Sequence, residues 1–209
     1  MAYDLEEQDQ LDALKTWWKH NGNKVMGVAV LALVGFGGYE GWKFYQYRQS
    51  ASASVQYQNM ANTDIKDVAK IRALSAELMD KYSSTPYAGR AAVAVAKLNY
   101  QEQDKESAKA QLEWASKNAT EDSIRAIALL QLATIQYEDK AYDEALKTLS
   151  EKYEATGYAG LFADLKGDVL AAQGKTDEAK AAYKDALTKL DVQGDYHKYT
   201  EHKLEALGG

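Results

Sequence analysis

The chain has 209 residues, with 25 Lys and Arg against 31 Asp and Glu, for a formal net charge of −6. This acidic balance argues against nucleic acid as a partner, because phosphate binding needs a basic footprint. The absence of cysteine excludes disulfides, thiol catalysis and cysteine-ligated metals, and the single proline leaves nearly the whole chain free to be helical.

Residues 1–20 form a polar head carrying Asp4, Glu6, Glu7, Asp9 and Asp12. The head is expected to be flexible up to about Asp9. Leu5, Leu11, Leu14, Trp17 and Trp18 offer only a weak amphipathic face. An uncharged run, Val25–Tyr39, follows between Lys24 and Glu40. Extended to residues 21–42, a helix at 1.5 Å per residue covers about 33 Å, enough for a hydrocarbon core of about 30 Å. Trp17 and Trp18 flank it on one side and Trp42, Phe44, Tyr45 and Tyr47 on the other, in the manner of interfacial aromatic belts.

A buried helix of a soluble protein would not favour Gly27, Gly35, Gly37 and Gly38, which weaken helix in water. A cleaved signal is disfavoured by the long acidic head, so an uncleaved anchor is expected. Lys15, Lys19 and Lys24 before the run outnumber Lys43 and Arg48 after it, a small bias toward a cytoplasmic N-terminus. Gly37 and Gly41 form a small-xxx-small pair that would let another membrane helix approach closely.

Residues 43–61 contain neither proline nor glycine, so the helix is expected to continue out of the anchor, with Ala53, Tyr57, Met60 and Ala61 on one stripe. Asn62-Thr63-Asp64 is expected to form a turn and cap before a helix over Ile65–Tyr82. Its apolar residues Ile65, Val68, Ile71, Leu74, Leu78 and Met79 recur at helical spacing. Thr85 is placed as the cap of the next helix, with Pro86 in its first turn.

From there the chain repeats itself. Ala108, Ala145 and Ala179 each follow a short polar linker, spaced 37 and 34 residues apart. Twelve residues upstream of each lies another small residue, Ala96, Ala133 or Gly167. Four downstream lies a large one, Leu112, Leu149 or Tyr183. This is the tetratricopeptide pattern, in degenerate form, over Tyr87–Asn118, Ser123–Tyr153 and Tyr158–Leu190. Residues 51–61 and 65–82 make a more diverged first unit, and Tyr196–Leu207 a capping helix. The fold class is therefore all-α: one transmembrane helix, then an α-solenoid of three to four helix pairs over residues 62–209. In such arrays the first helix of each pair builds the inner wall. Residues one and four places after its small residue face inward: Lys97 and Tyr100, Thr134 and Tyr137, Asp168 and Ala171. These are the candidate partner-binding residues, with tyrosines suited to varied polypeptides. Tyr100 and Tyr137 would serve equally well as packing between repeats.

The order of acidic head, aromatic-flanked anchor, the stretch GGYEGWKFYQYRQSASASVQYQ and weak repeats resembles the ancillary subunit of the SecYEG translocon, of the YfgM type. The segment Ala159–Asp168 adds to the likeness, which covers essentially the whole chain. The resemblance implies a bacterial inner-membrane protein with a cytoplasmic N-terminus and periplasmic repeats. It implies association with SecYEG and with a membrane-anchored periplasmic chaperone of the prolyl-isomerase class, and a role in passing secreted proteins to chaperones.

No catalytic or metal constellation is legible. His20 lies in the head, and His197 and His202 are five apart, off one helical face. There is no nucleophile elbow, P-loop or dinucleotide fingerprint, so no cofactor is expected and the protein is not expected to be an enzyme. The other readings are an envelope stress-response or cell-division regulator acting through protein contacts, and a ligand-binding protein or enzyme whose site the sequence does not advertise.

Overall fold

A computed structural model describes residues 2–208, with side chains from residue 7 onward. Asp4, Leu5 and Glu6 of the acidic head lie outside the described side chains. The chain divides into two units, Met1–Arg48 and Gln49–Gly209. All described regular structure is helical.

Helix α1 spans Ala2–Ala61. The head is thus helical where flexibility was expected: it lacks proline and glycine, and its leucines, glutamates and glutamines are good helix formers. Within the first unit Leu31, Leu33, Val34 and Phe36 are all exposed, and no part of the apolar stretch is buried. The helix is long and apolar enough to cross a membrane. Trp17, Trp18, Trp42, Phe44 and Tyr47 are also exposed, and Arg48 sits 5.3 Å over the Phe44 ring.

The second unit begins with the end of α1. Ala53 and Met60 are buried there, with Tyr57 half-buried, in a cluster with Leu78, Ala91 and Val95. Ala61 is exposed, against expectation, because the helix ends on it. Helix α2 spans Val68–Lys81 and starts three residues later than expected. Two aspartates compete for the cap. Asp64 closes a tight turn by accepting from Lys66 N at 3.0 Å, and Asp67 caps the helix by accepting from Lys70 N at 3.2 Å. Ile65 is left outside the helix and exposed.

The repeats follow as helix pairs: α3 (Pro86–Gln101) with α4 (Lys105–Asn118), α5 (Asp122–Glu138) with α6 (Tyr142–Leu149), and α7 (Ala159–Ala172) with α8 (Thr176–Lys189). A 3-10 turn, Thr156–Tyr158, leads into α7, and α9 (Asp195–Ala206) caps the array. Pro86 occupies the first turn of α3 as expected. The Thr85 hydroxyl, however, donates back to the Tyr82 carbonyl at 2.8 Å instead of capping α3, because the preceding turn, closed by Thr85 N–H on the same carbonyl at 2.9 Å, holds it there.

All nine small and large repeat positions are buried. A Cβ on Gly167 would overlap the Tyr183 ring, so the third pair closes only because the first helix has no side chain there. The linkers are equally regular. Gln103, Lys140 and Gly174 each take a positive φ, of 64°, 61° and 76°. The next residue's N–H then reaches back to the first helix: Asp104 to Asn99, Ala141 to Gln136 and Lys175 to Leu170. This is the left-handed helix stop that glycine favours, here made by glycine only once.

A second repeated close approach was not anticipated. Gly89 and Gly160 abut Ala119 and Leu190, which follow the ends of α4 and α8. The middle pair has Ala126 in this place, and α6 stops at Leu149, well short of the corresponding point.

The first and second pairs are also joined by a fork from Arg90 to Glu121, with both bonds at 2.7 Å. The hydrogen bond from Arg90 holds the Glu121 carboxyl below its ordinary pKa. A depressed carboxylate contributes stability above its unfolded pKa, about 4.3, and loses it as pH falls through the folded value. Because Arg90 is largely exposed, Glu121→Gln should cost less than about 1 kcal/mol at neutral pH. Denaturant midpoints of the two proteins should converge as pH falls below the ordinary carboxylate range.

Candidate partner-binding surface

The first helices α3, α5 and α7 lie side by side, each touching the next. Between α3 and α5 runs a groove of about 280 Å³. Lys97 and Tyr100 form one bank, and Gln131, Thr134 and Glu138 the other. Ala96, Leu112 and Ile135 make an apolar floor. The sequence pattern dictates this: polar positions fall on the exposed side of each first helix and small or apolar ones beneath.

One end of the groove is tied by charge. Tyr100 Oη donates to Glu138 at 2.5 Å, and Lys105 lies 5.9 Å from the Tyr100 ring centre. Lys105 also donates to Asp139 at 2.6 Å, and Lys109 reaches Asp139 at 3.4 Å and Glu106 at 2.6 Å. The bond to Glu138 raises the Tyr100 pKa, and the bond from Lys105 lowers that of Asp139. Lys97, by contrast, is exposed and makes no ion pair among the described residues.

Of the residues expected on the wall, Lys97, Tyr100 and Thr134 come together in this groove. Tyr137 does not line it. It is half-buried and packs on Tyr142, ring centres 6.1 Å apart, in the cluster around Ala133 and Ala145. Asp168 is engaged by α8 and by the capping helix: it accepts from Tyr183 Oη and from Lys203 Nζ, both at 2.8 Å. Ala171 packs in the cluster of Leu170 and Tyr183. In the other unit, a Cβ added to Gly37 or Gly41 would meet no atom within 4 Å, so their helix surface is open.

Two polar nodes escaped the sequence reading. Arg72 donates to the buried Asn99 at 2.7 Å and to Asp104 at 3.2 Å, while Asp104 caps α4 through Ser107 N. At the other end Lys203 bridges Asp164 and Asp168, both at 2.8 Å, and buried Thr200 donates to Asp164. The available signals were polar residues inside apolar runs: Asn99 in KLNY and Asp164 in LFADL. His197 and His202 each face a glutamate on α9, and no group of metal-ligating side chains occurs among the described residues.

A family model described as a tetratricopeptide repeat-like domain matches residues 15–209. Three relatives are similar over most of their length, and each is named an ancillary SecYEG translocon subunit. The one from Haemophilus influenzae is 31% identical over 186 residues, 89% of this chain and 91% of its own. That from Neisseria gonorrhoeae is 31% identical over 210 residues, 99% of this chain and 100% of its own. That from Escherichia coli is 29% identical over 204 residues, 96% of each.

Proposed function

The chain belongs to the family of ancillary SecYEG translocon subunits, and from that membership we propose a membrane-anchored scaffold working through protein contacts at the Sec translocon. The observation that carries this is the near full-length likeness, which spans the apolar helix as well as the repeats. In this reading residues 1–20 are a cytoplasmic head, 21–42 the anchor, 43–61 a connecting helix and 62–209 a periplasmic repeat domain. The scaffold passes secreted polypeptides to periplasmic chaperones, including a membrane-anchored one of the prolyl-isomerase class. Its action is non-enzymatic. Gly37 and Gly41 are the proposed contact with a neighbouring membrane helix. Lys97, Tyr100 and Thr134 are the core of the proposed polypeptide-binding wall, with Tyr137 and Asp168 supporting it from behind.

Crosslinking in native bacterial membranes tests the assignment: SecYEG should copurify with the full chain, and its absence would overturn the reading. For topology, protease added to spheroplasts should digest the repeat domain and spare the head. A repeat domain protected until lysis would reverse the orientation. For the wall, Tyr100→Ala with Tyr137→Ala should weaken chaperone pull-down while circular dichroism stays helical. Unchanged binding by a folded double variant would move the site to the Gly37 and Gly41 face.

A further inference from the structure

The second helix of the middle repeat is cut short. Helices α4 and α8 have 14 residues each, but α6 has 8. The difference is nearly two helical turns. Where they would lie, the chain instead runs irregularly from Ser150 to Ala155. A trough of about 430 Å³ is left between the end of α6 and the pair α7–α8. On α7 its lining residues include Ala159, Ala163 and Lys166, and on α8 Glu178, Ala182 and Asp185, each set on one helical face. Phe162 forms part of the floor and stacks on Tyr153 of the irregular stretch, ring centres 4.0 Å apart. On α7 this face is about half a turn round from Asp168, so the trough is separate from the proposed wall.

We propose that this trough is a second docking surface, whose occupant is a short amphipathic α-helix of a partner protein lying where the missing turns of α6 would be. The length deficit fits a helical segment of about two turns. Small alanines on both banks make holes for the larger apolar side chains of a helix. The charges give it a direction. Lys166 on one bank and Glu178 on the other make no ion pair among the described residues, whereas Asp185 and Lys189 are already paired at 2.6 Å. The occupant therefore carries an apolar stripe with an acidic residue on the Lys166 side and a basic residue on the Glu178 side. This surface does not rest on the reading of the α3–α5 groove.

The test uses the full chain in detergent and a fluorescein-labelled synthetic helix of 14 residues. The peptide has a leucine stripe flanked by glutamate and arginine, and binding is read by anisotropy. Ala181 is exposed and lines the trough, so Ala181→Trp should block it and weaken binding at least tenfold with the circular dichroism unchanged. Lys166→Glu should weaken binding as well, and a peptide with lysine in place of its glutamate should restore it. Tyr100→Ala alone, on the wall and away from the trough lining, should leave binding unchanged, which separates this surface from the wall. Binding indifferent to Ala181→Trp would overturn the proposal. So would equal binding of a peptide of the same composition broken by a central proline. The chain has no native cysteine, so efficient disulfide formation by Ala181→Cys would assign the trough to a second copy and overturn it too.

Discussion

Leucine at Ala133 or at Ala145 will lower the stability of the repeat domain by about 1–3 kcal/mol each. Both alanines are fully buried, in one cluster with Leu129, Leu149 and Phe162. Larger side chains there must push α5 and α6 apart, because Leu149 already fills the space beside the small pair. The neighbouring Thr134 is exposed, so Thr134→Leu is a control expected to change stability by no more than about 0.5 kcal/mol. At roughly 2–4 °C per kcal/mol for a domain of this size, each alanine replacement should lower the melting midpoint by several degrees. Unchanged midpoints for both would contradict the repeat register.

The capping helix gives the second large effect. Lys203→Met removes the α9 cation shared by Asp164 and Asp168 and leaves two α7 carboxylates, one turn apart, without it. Breaking a fully buried pair costs about 3–5 kcal/mol; Lys203 is 35% exposed, so about 2–3 kcal/mol is expected here. Burial disfavours the Lys203 charge, but the hydrogen bonds to Asp164 and Asp168 outweigh it and hold its pKa above the ordinary value. A raised lysine contributes fully below its unfolded pKa of about 10.4 and loses that contribution as pH climbs through the folded value. Urea titrations should therefore show a constant gap between the two proteins across neutral pH, closing only in strong alkali. A gap that closed on going from pH 7 to pH 9 would contradict the assignment.

The repeats were legible because their signal is steric and local. Ala96, Ala133 and Gly167 had to be small, and Leu112, Leu149 and Tyr183 large, whatever the rest of the fold. Cap choice was less legible. Asp64 and Asp67 present the same side chain three residues apart, and only the folded turn shows which one reaches a free N–H. The wall was legible in part. Position within a helix gave Lys97, Tyr100 and Thr134 a common groove, but it could not show that α9 would engage Asp168, because that contact spans 35 residues. The shortened α6 was hidden for a related reason: Ser150–Tyr153 contains no proline or glycine to mark a stop.

The substantial helix contacts of the repeat domain join elements one or two steps apart in the chain. Such local topology favours rapid folding, since little loop entropy is lost before each contact forms. Such a repeat domain can thus acquire structure pair by pair in chain order, without waiting for distant sequence. The bond from Lys203 back to Asp164 reaches 39 residues, about as far as the one from Tyr100 to Glu138 at 38. Leu204 and Leu207 of the last helix, α9, pack on Leu170 and Tyr183, so that end of the array is expected to stay uncovered until α9 docks.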